Sequence, residues 1–313
     1  MSAHDLTRLL IPKKVYRKPE DRSVLTIKAQ APMTGFSRLQ AIFGTTALAG
    51  LFSLCGGFSA LAPAAELPAT QADAACCNVL ELRQYTLRPG TREPFVELFD
   101  TVFSDPLDAT GMTVIGQFRD LDRPDRFVWI RGFQDMPARA TELAAFYQGD
   151  LWHARRAEAN ASIDDSDNVL LLEPASPALR FSNIPPRPAA ADTSVRAGLV
   201  VVTLYYTKTD NPRAFGTLFD RSLRHRAEAD GARTVAAYIA SKQENNYPKL
   251  AVRVGEHIFV WFAMFANADA YASYQAKLTA DKTWAANWSL AREKLTRDPE
   301  VLRLTPTPRS RLR

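Results

Sequence analysis

An internal repeat constrains this chain more than any other feature. Phe127-Val128-Trp129-Ile130-Arg131-Gly132-Phe133 recurs as Phe259-Val260-Trp261-Phe262-Ala263-Met264-Phe265, 132 residues later. The same spacing pairs Trp152 with Trp284, and Leu172-Glu173-Pro174 with Leu304-Thr305-Pro306. Upstream the spacing falls to 120, where Leu98-Phe99-Asp100 answers Leu218-Phe219-Asp220 and Gly111 answers Gly231. The difference, 132 − 120 = 12, is an insertion in the second copy. It falls within Ser241–His257, a turn-rich run containing Asn245-Asn246-Tyr247-Pro248. One further single-residue adjustment aligns Tyr85-Thr86 with Tyr206-Thr207. Self-similarity at a fixed spacing means one structural unit used twice.

Each copy reads β-α-β-β-α-β. In the first, strands are predicted at 78–87, 112–119, 126–133 and 168–173. A helix over 91–108 follows from Phe95, Leu98, Phe99, Val102 and Phe103 at helical spacing, with Gly111 as its stop. A second helix starts at 136, bent or broken near Gly149, and runs to 160. The second copy repeats this at 199–207, 212–229, 232–240, 256–265, 267–294 and 300–305. The order is that of the ferredoxin-like plait, an α+β fold whose helices cover one sheet face. The other face must also be covered. Leu80 and Leu82 alternate with Glu81, Arg83 and Tyr85, while Phe127, Trp129 and Arg131 share one face of their strand. Large aromatics there suggest that the open faces of the two sheets pack together, leaving a cavity between sheet and helices.

The chain has 313 residues, room for two domains plus extensions. The boundaries read 1–32 as an upstream extension, 33–69 as a signal peptide and 70–77 as a flexible segment. Then come a first domain over 78–175, a proline-rich linker over 176–197, a second domain over 198–308 and a tail over 309–313. The leader rests on Arg38, the apolar stretch Leu39–Leu61 and the A-x-A spacing of Ala62-Pro63-Ala64. It implies a periplasmic or secreted protein, with a membrane anchor as the alternative. Gly50, Gly56 and Gly57 weaken that alternative, so no permanent span is expected after cleavage. The polar, basic residues 1–32 are unusual ahead of such a leader and favour a true start at Met33.

The net charge of +5 is dispersed, which gives no claim on nucleic acid. Three cysteines provide no disulfide framework, and four histidines without paired spacing provide no metal site. Adjacent Cys76 and Cys77 read as two thiols, because neighbouring cysteines rarely bridge each other.

The run Val79–Gly90 resembles the opening of the NIPSNAP domain, whose first strand reads roughly E-x-R-x-Y-x-x-x-P-G. Glu81, Arg83, Tyr85, Pro89 and Gly90 fit it. The resemblance continues through Phe127–Phe133 to Leu172. The second copy resembles a diverged domain of the same kind, with Val202 and Leu204 where the first has Glu81 and Arg83. The resemblance implies tandem domains in a dimeric α/β-barrel arrangement, a fold that also serves cofactor-free monooxygenases and haem-handling proteins. It does not fix a chemistry.

Glu81 and Arg83 project from one face of a strand. They read either as a structural ion pair or as a site in which Arg83 holds an anionic or quinone-like oxygen and Glu81 orients it or moves a proton. Tyr85, Trp129, Arg131 and Trp152 are the candidate ligand-binding residues beside them. His153 is a third catalytic candidate, as a general base or haem ligand, although the second copy has Ala285 there. His225 and His257 read as surface residues. The leading function is a binder of a small apolar or aromatic ligand or of a protein partner, with no cofactor. A cofactor-free monooxygenase or isomerase on an aromatic or quinol substrate, and haem handling, are the alternatives. The pairing of the two sheets is open between a homo-oligomer and one chain.

N-terminal sequencing tests the leader. A precursor beginning at Met33 and a mature chain beginning between the Ala62-Pro63-Ala64-Ala65 run and residue 70 are expected. A precursor beginning at Met1 or Ser2 rules out the Met33 start.

Overall fold

A computed structural model describes residues 76–191 and 198–313. The leader and its start codon lie outside the described residues. In the first repeat the strands are β1 Val79–Leu87, β2 Thr113–Asp120, β3 Arg126–Phe133, β4 Ile163–Asp165 and β5 Val169–Pro174. Its helices are α1 Arg92–Leu98, α2 Ser104–Ala109, α3 Met136–Tyr147 and α4 Asp150–Ser162. The second repeat has β6 Leu199–Tyr206, β7 Arg233–Ala240, β8 Ile258–Phe265 and β9 Glu300–Pro306. Its helices are α5 Pro212–Phe219, α6 His225–Ala229, α7 Ala268–Ala280 and α8 Lys282–Arg292. The short β4 was not expected.

Local chemistry sets the helix ends in matching ways. Asp135 and Asn267, 132 apart, cap α3 and α7 by accepting from the backbone N–H of Ala138 and Ala270. Gly111 and Gly231 follow α2 and α6 in the left-handed region, with φ of 108° and 119°. The break expected near Gly149 is present, and a Cβ there would lie 2.9 Å from the Ala145 carbonyl oxygen. The helix expected over 267–294 is instead two. Asp281 ends α7 and caps α8 through the Thr283 N–H. The first helix of each repeat contains a π-helical turn, Phe99–Phe103 and Asp220–Arg224.

All strand pairs are antiparallel within the sheet. In the first repeat β1 lies between β3 and β5, and in the second β6 lies between β8 and β9. The pairs β2–β9 and β5–β7 join the repeats. Because β1 pairs with β3, the eight long strands close into a barrel formed within one chain. Closure removes the free sheet edges.

The register corrects the sequence alignment. Glu81 lies opposite Arg131, and Val201 lies opposite Ala263, so the spacing of 120 runs through β1 and β6 without adjustment. Tyr205, not Tyr206, is the counterpart of Tyr85. Val201 and Thr203, not Val202 and Leu204, stand where the first repeat has Glu81 and Arg83. The Tyr205-Tyr206 doublet hides this by letter, but the pleat resolves it. Tyr85 and Tyr205 face helices, whereas Tyr206 belongs to the barrel interior.

The inner face also differs from expectation. The barrel is filled by Leu80, Leu82, Val128, Ile130, Val200, Val202, Val260 and Phe262 and their neighbours. Phe127, Trp129, Phe259 and Trp261 turn outward beneath the helices. In β1, β3, β6 and β8 both faces are buried, so alternation alone does not say which is inner. The narrow barrel takes mostly branched aliphatics, and the helix layer takes the larger rings.

Cys76 and Cys77 are joined by a disulfide, contrary to the two free thiols expected. Cys77 is buried with the barrel core, and its carbonyl accepts from the Tyr238 hydroxyl at 3.0 Å. At the other terminus Arg309 and Ser310 are buried, and the Arg309 N–H donates to Asp100 at 3.2 Å.

Phe262 is fully buried between Phe181 and Tyr238. Phe262→Ala is expected to cost about 3–5 kcal/mol in urea unfolding. A loss under about 1 kcal/mol contradicts a packed barrel.

Candidate functional site

The pleat of β1 turns Glu81, Arg83 and Tyr85 toward α1–α4, not into the barrel. Cross-strand pairing sets Arg131 beside Glu81 and Trp129 beside Arg83. Arg139, on α3, completes the group from above. One carboxylate thus meets three guanidiniums, and all four side chains are shielded from solvent.

The geometry is saturated on the carboxylate. Arg83 Nη1 donates to Glu81 Oε2 at 2.7 Å, and Arg131 Nε donates to the same oxygen at 2.8 Å. Arg139 Nε donates to Oε1 at 2.7 Å. The Nη2 atoms of Arg131 and Arg139 close in at 2.7 and 2.6 Å. Burial alone would raise the Glu81 pKa, but the charges of Arg131, Arg83 and Arg139 outweigh it and hold the carboxyl well below the usual carboxylate range. With both oxygens engaged, Glu81 anchors charge and is not placed to carry a proton. Three guanidiniums against one carboxylate leave a surplus of two positive charges. Among the described residues no second carboxylate pairs with any of the three arginines.

The surplus points outward through aromatic rings. Arg83 Nε donates to the Tyr85 hydroxyl at 3.1 Å, and Arg131 Nη1 donates to the Tyr147 hydroxyl at 3.4 Å. The Arg131 guanidinium lies 4.9 Å from the Trp129 ring centre, a cation–π distance. Burial pushes the Tyr85 phenol above its ordinary value despite the Arg83 charge, so it stays protonated. Tyr85, Tyr147 and Trp129 form part of the wall of a cavity of about 40 Å³. Phe99, Phe103, Phe146 and half-buried Trp152 supply most of the rest. That volume admits one small group or a few waters.

One polar atom among the wall residues is unsatisfied. The Trp129 indole N–H is buried without a hydrogen-bond partner. Its counterpart in the second repeat is satisfied, because Trp261 Nε1 donates to Thr234 Oγ1 at 3.1 Å. The ladders align Thr234 with Val114, which has no acceptor. Leaving a buried donor unmade costs about 1–3 kcal/mol.

The 12-residue insertion completes the site from the second repeat. Arg139 Nη1 donates to Asn246 Oδ1 at 2.7 Å and Asn245 Oδ1 at 3.1 Å. Asn246 Nδ2 ties back to the Met136 carbonyl at 2.6 Å. Tyr247 packs against Tyr147, with ring centres 6.2 Å apart.

The structure therefore gathers Glu81, Arg83, Tyr85, Trp129, Arg131 and Trp152 into one place. His153 is exposed on α4, and His225 and His257 are also exposed. None of the three lines the cavity. A haem does not fit there, by volume or by ligands. Arg139, Tyr147, Asn245 and Asn246 escaped the sequence reading. Only Arg139 left a trace: a long cation beside Met136 and Leu143 in an amphipathic helix, where the second copy has Tyr271.

The NIPSNAP family model matches residues 80–177. Residues 80–177 are a NIPSNAP domain. The second repeat shares its topology and lies beyond the matched residues. No curated protein matches the chain in sequence. Among solved structures, an anthrone oxidase-like protein aligns at 12% identity over 75% of this chain and 93% of its own, with a TM-score of 0.50. That likeness shows the fold alone. A NIPSNAP family protein from Agrobacterium tumefaciens aligns at 15% identity over 38% of this chain and 95% of its own, with a TM-score of 0.31. A NIPSNAP domain protein from Burkholderia xenovorans aligns at 16% identity over 35% and 94%, with a TM-score of 0.28.

Glu81→Gln removes the anion that three buried cations share, so a loss of about 3–5 kcal/mol is expected in urea unfolding. The sign with pH follows from a depressed folded pKa. The stabilisation is complete above the unfolded value of about 4.3 and is lost only as pH falls well below it. A variant as stable as the wild type at neutral pH contradicts this arrangement.

Proposed function

We propose that this is an exported protein whose NIPSNAP domain binds a small aromatic molecule bearing an acceptor oxygen. The observation that carries the reading is the unsatisfied N–H of Trp129, a wall residue of an aromatic-lined cavity, set against the satisfied Trp261 of the second repeat. A buried donor without a partner is costly and persists where something else supplies the acceptor. The cavity of about 40 Å³ takes the oxygen-bearing end of such a ligand, and its ring stays at the mouth beside half-buried Trp152 and Tyr147. Trp152, Tyr147 and Ile163 are only half buried and make the outer wall, so one edge of the ligand enters between them.

A cofactor-free monooxygenase or isomerase is the second reading. Tyr85 favours it. Its hydroxyl accepts from Arg83, which leaves its proton for an oxygen in the cavity. A binder needs only the cavity, whereas an enzyme also needs that proton. If phenol or naphthol is consumed aerobically by the wild type and not by Tyr85→Phe, the enzyme reading stands.

Val114→Thr separates ligand binding from packing. It gives Trp129 the hydroxyl that Thr234 gives Trp261. The variant is expected to fold normally and to bind 1-naphthol about tenfold more weakly in calorimetric titration, about 1.4 kcal/mol for one lost hydrogen bond. Unchanged affinity, or no saturable binding by the wild type, contradicts the proposal.

A further inference from the structure

We infer that the ligand is taken up as an oxyanion, a phenolate, enolate or carboxylate on an aromatic frame. This rests on the cavity reading above and adds the charge of the ligand to it.

The charge surplus lies directly behind the cavity wall. Arg83, Arg131 and Arg139 share the single carboxylate of Glu81, and no other acid pairs with them among the described residues. Buried charge is ordinarily balanced, so two unbalanced cations away from solvent call for a further anion. The contacts show where that anion sits. Arg139 is turned away from the cavity, its free edge bound to Asn245 and Asn246 of the second repeat. Arg83 and Arg131 are turned toward it, each donating to a phenol of the cavity wall. Their charge reaches the cavity through the Tyr85 and Tyr147 hydroxyls.

A phenol that accepts from a guanidinium is a stronger donor on its own proton. Neither the Tyr85 nor the Tyr147 hydroxyl donates to a protein acceptor among the described residues. The free polar hydrogens of the wall residues, on Tyr85, Tyr147 and Trp129, are therefore donors beside a field of positive sign. Such a set favours an oxygen with full negative charge over a neutral one. The second repeat shows the contrast. Val201, Thr203, Ala263 and Tyr271 replace Glu81, Arg83, Arg131 and Arg139, so neither surplus charge nor unsatisfied indole is present there.

The test uses 4-nitrophenol, whose ionised form is read by visible absorbance, with nitrobenzene as the neutral analogue that lacks the phenol oxygen. Both are titrated into the mature wild-type protein. The bound nitrophenol is expected to ionise about one to two pH units below its value in buffer. Nitrobenzene is expected to bind at least tenfold more weakly than nitrophenolate. Arg131→Gln, which removes one charge, is expected to erase most of that preference. If Arg131→Gln does not fold, the wild-type ionisation shift decides alone. Equal affinity for both probes with an unshifted or raised nitrophenol pKa overturns the oxyanion inference and leaves aromatic binding intact. Saturable binding of neither probe overturns the cavity reading itself, and this inference with it.

Discussion

Burial of both faces of the central strands β1, β3, β6 and β8 is the constraint on which the rest depends. The barrel covers one face and the helices cover the other. A polar residue placed on such a strand has no route to water and must find its partner within the protein. Glu81 on β1 meets this by drawing Arg83, Arg131 and Arg139 together, and the helix layer closes over them. The cluster ties β1, β3 and α3 into one body. Through Asn245 and Asn246 it also binds the second repeat to the first.

The two repeats meet the same constraint differently. The second fills the equivalent layer with Val201, Thr203, Ala263 and Tyr271 and satisfies Trp261 internally. It supplies half of the barrel wall and, through its insertion, part of the roof over the first repeat's charges. The first repeat spends stability on a carboxylate, three guanidiniums and an unsatisfied indole. Such an asymmetry within one duplicated unit is what the site proposed for the first repeat requires.

Much of the fold was legible because periodic patterns survive duplication. The spacing of 132, the apolar alternation and the glycines after the first helices all correspond to observed elements. Two features were not legible, for physical reasons. Alternation gives the period of a strand but not which buried face is inner, so Trp129 was set on the wrong side. A tyrosine doublet in β6 satisfied the alignment in either register, and only pairing to β8 resolved it. In the candidate site, Glu81, Arg83, Tyr85, Trp129, Arg131 and Trp152 were readable from strand periodicity, family resemblance and the repeat. Arg139, Asn245 and Asn246 were not, because they reach the cluster across 58 to about 165 residues of sequence through tertiary packing.

The central claim is that the first repeat keeps an indole donor open for a ligand while the second does not. Indole 15N–1H spectra of the mature protein test this most directly, with Trp129 and Trp261 assigned by substitution to Phe. On addition of 1-naphthol the Trp129 signal is expected to move downfield as its N–H gains an acceptor, while the Trp261 signal stays in place. A Trp129 signal that does not respond, or a Trp261 signal that moves equally, contradicts the account.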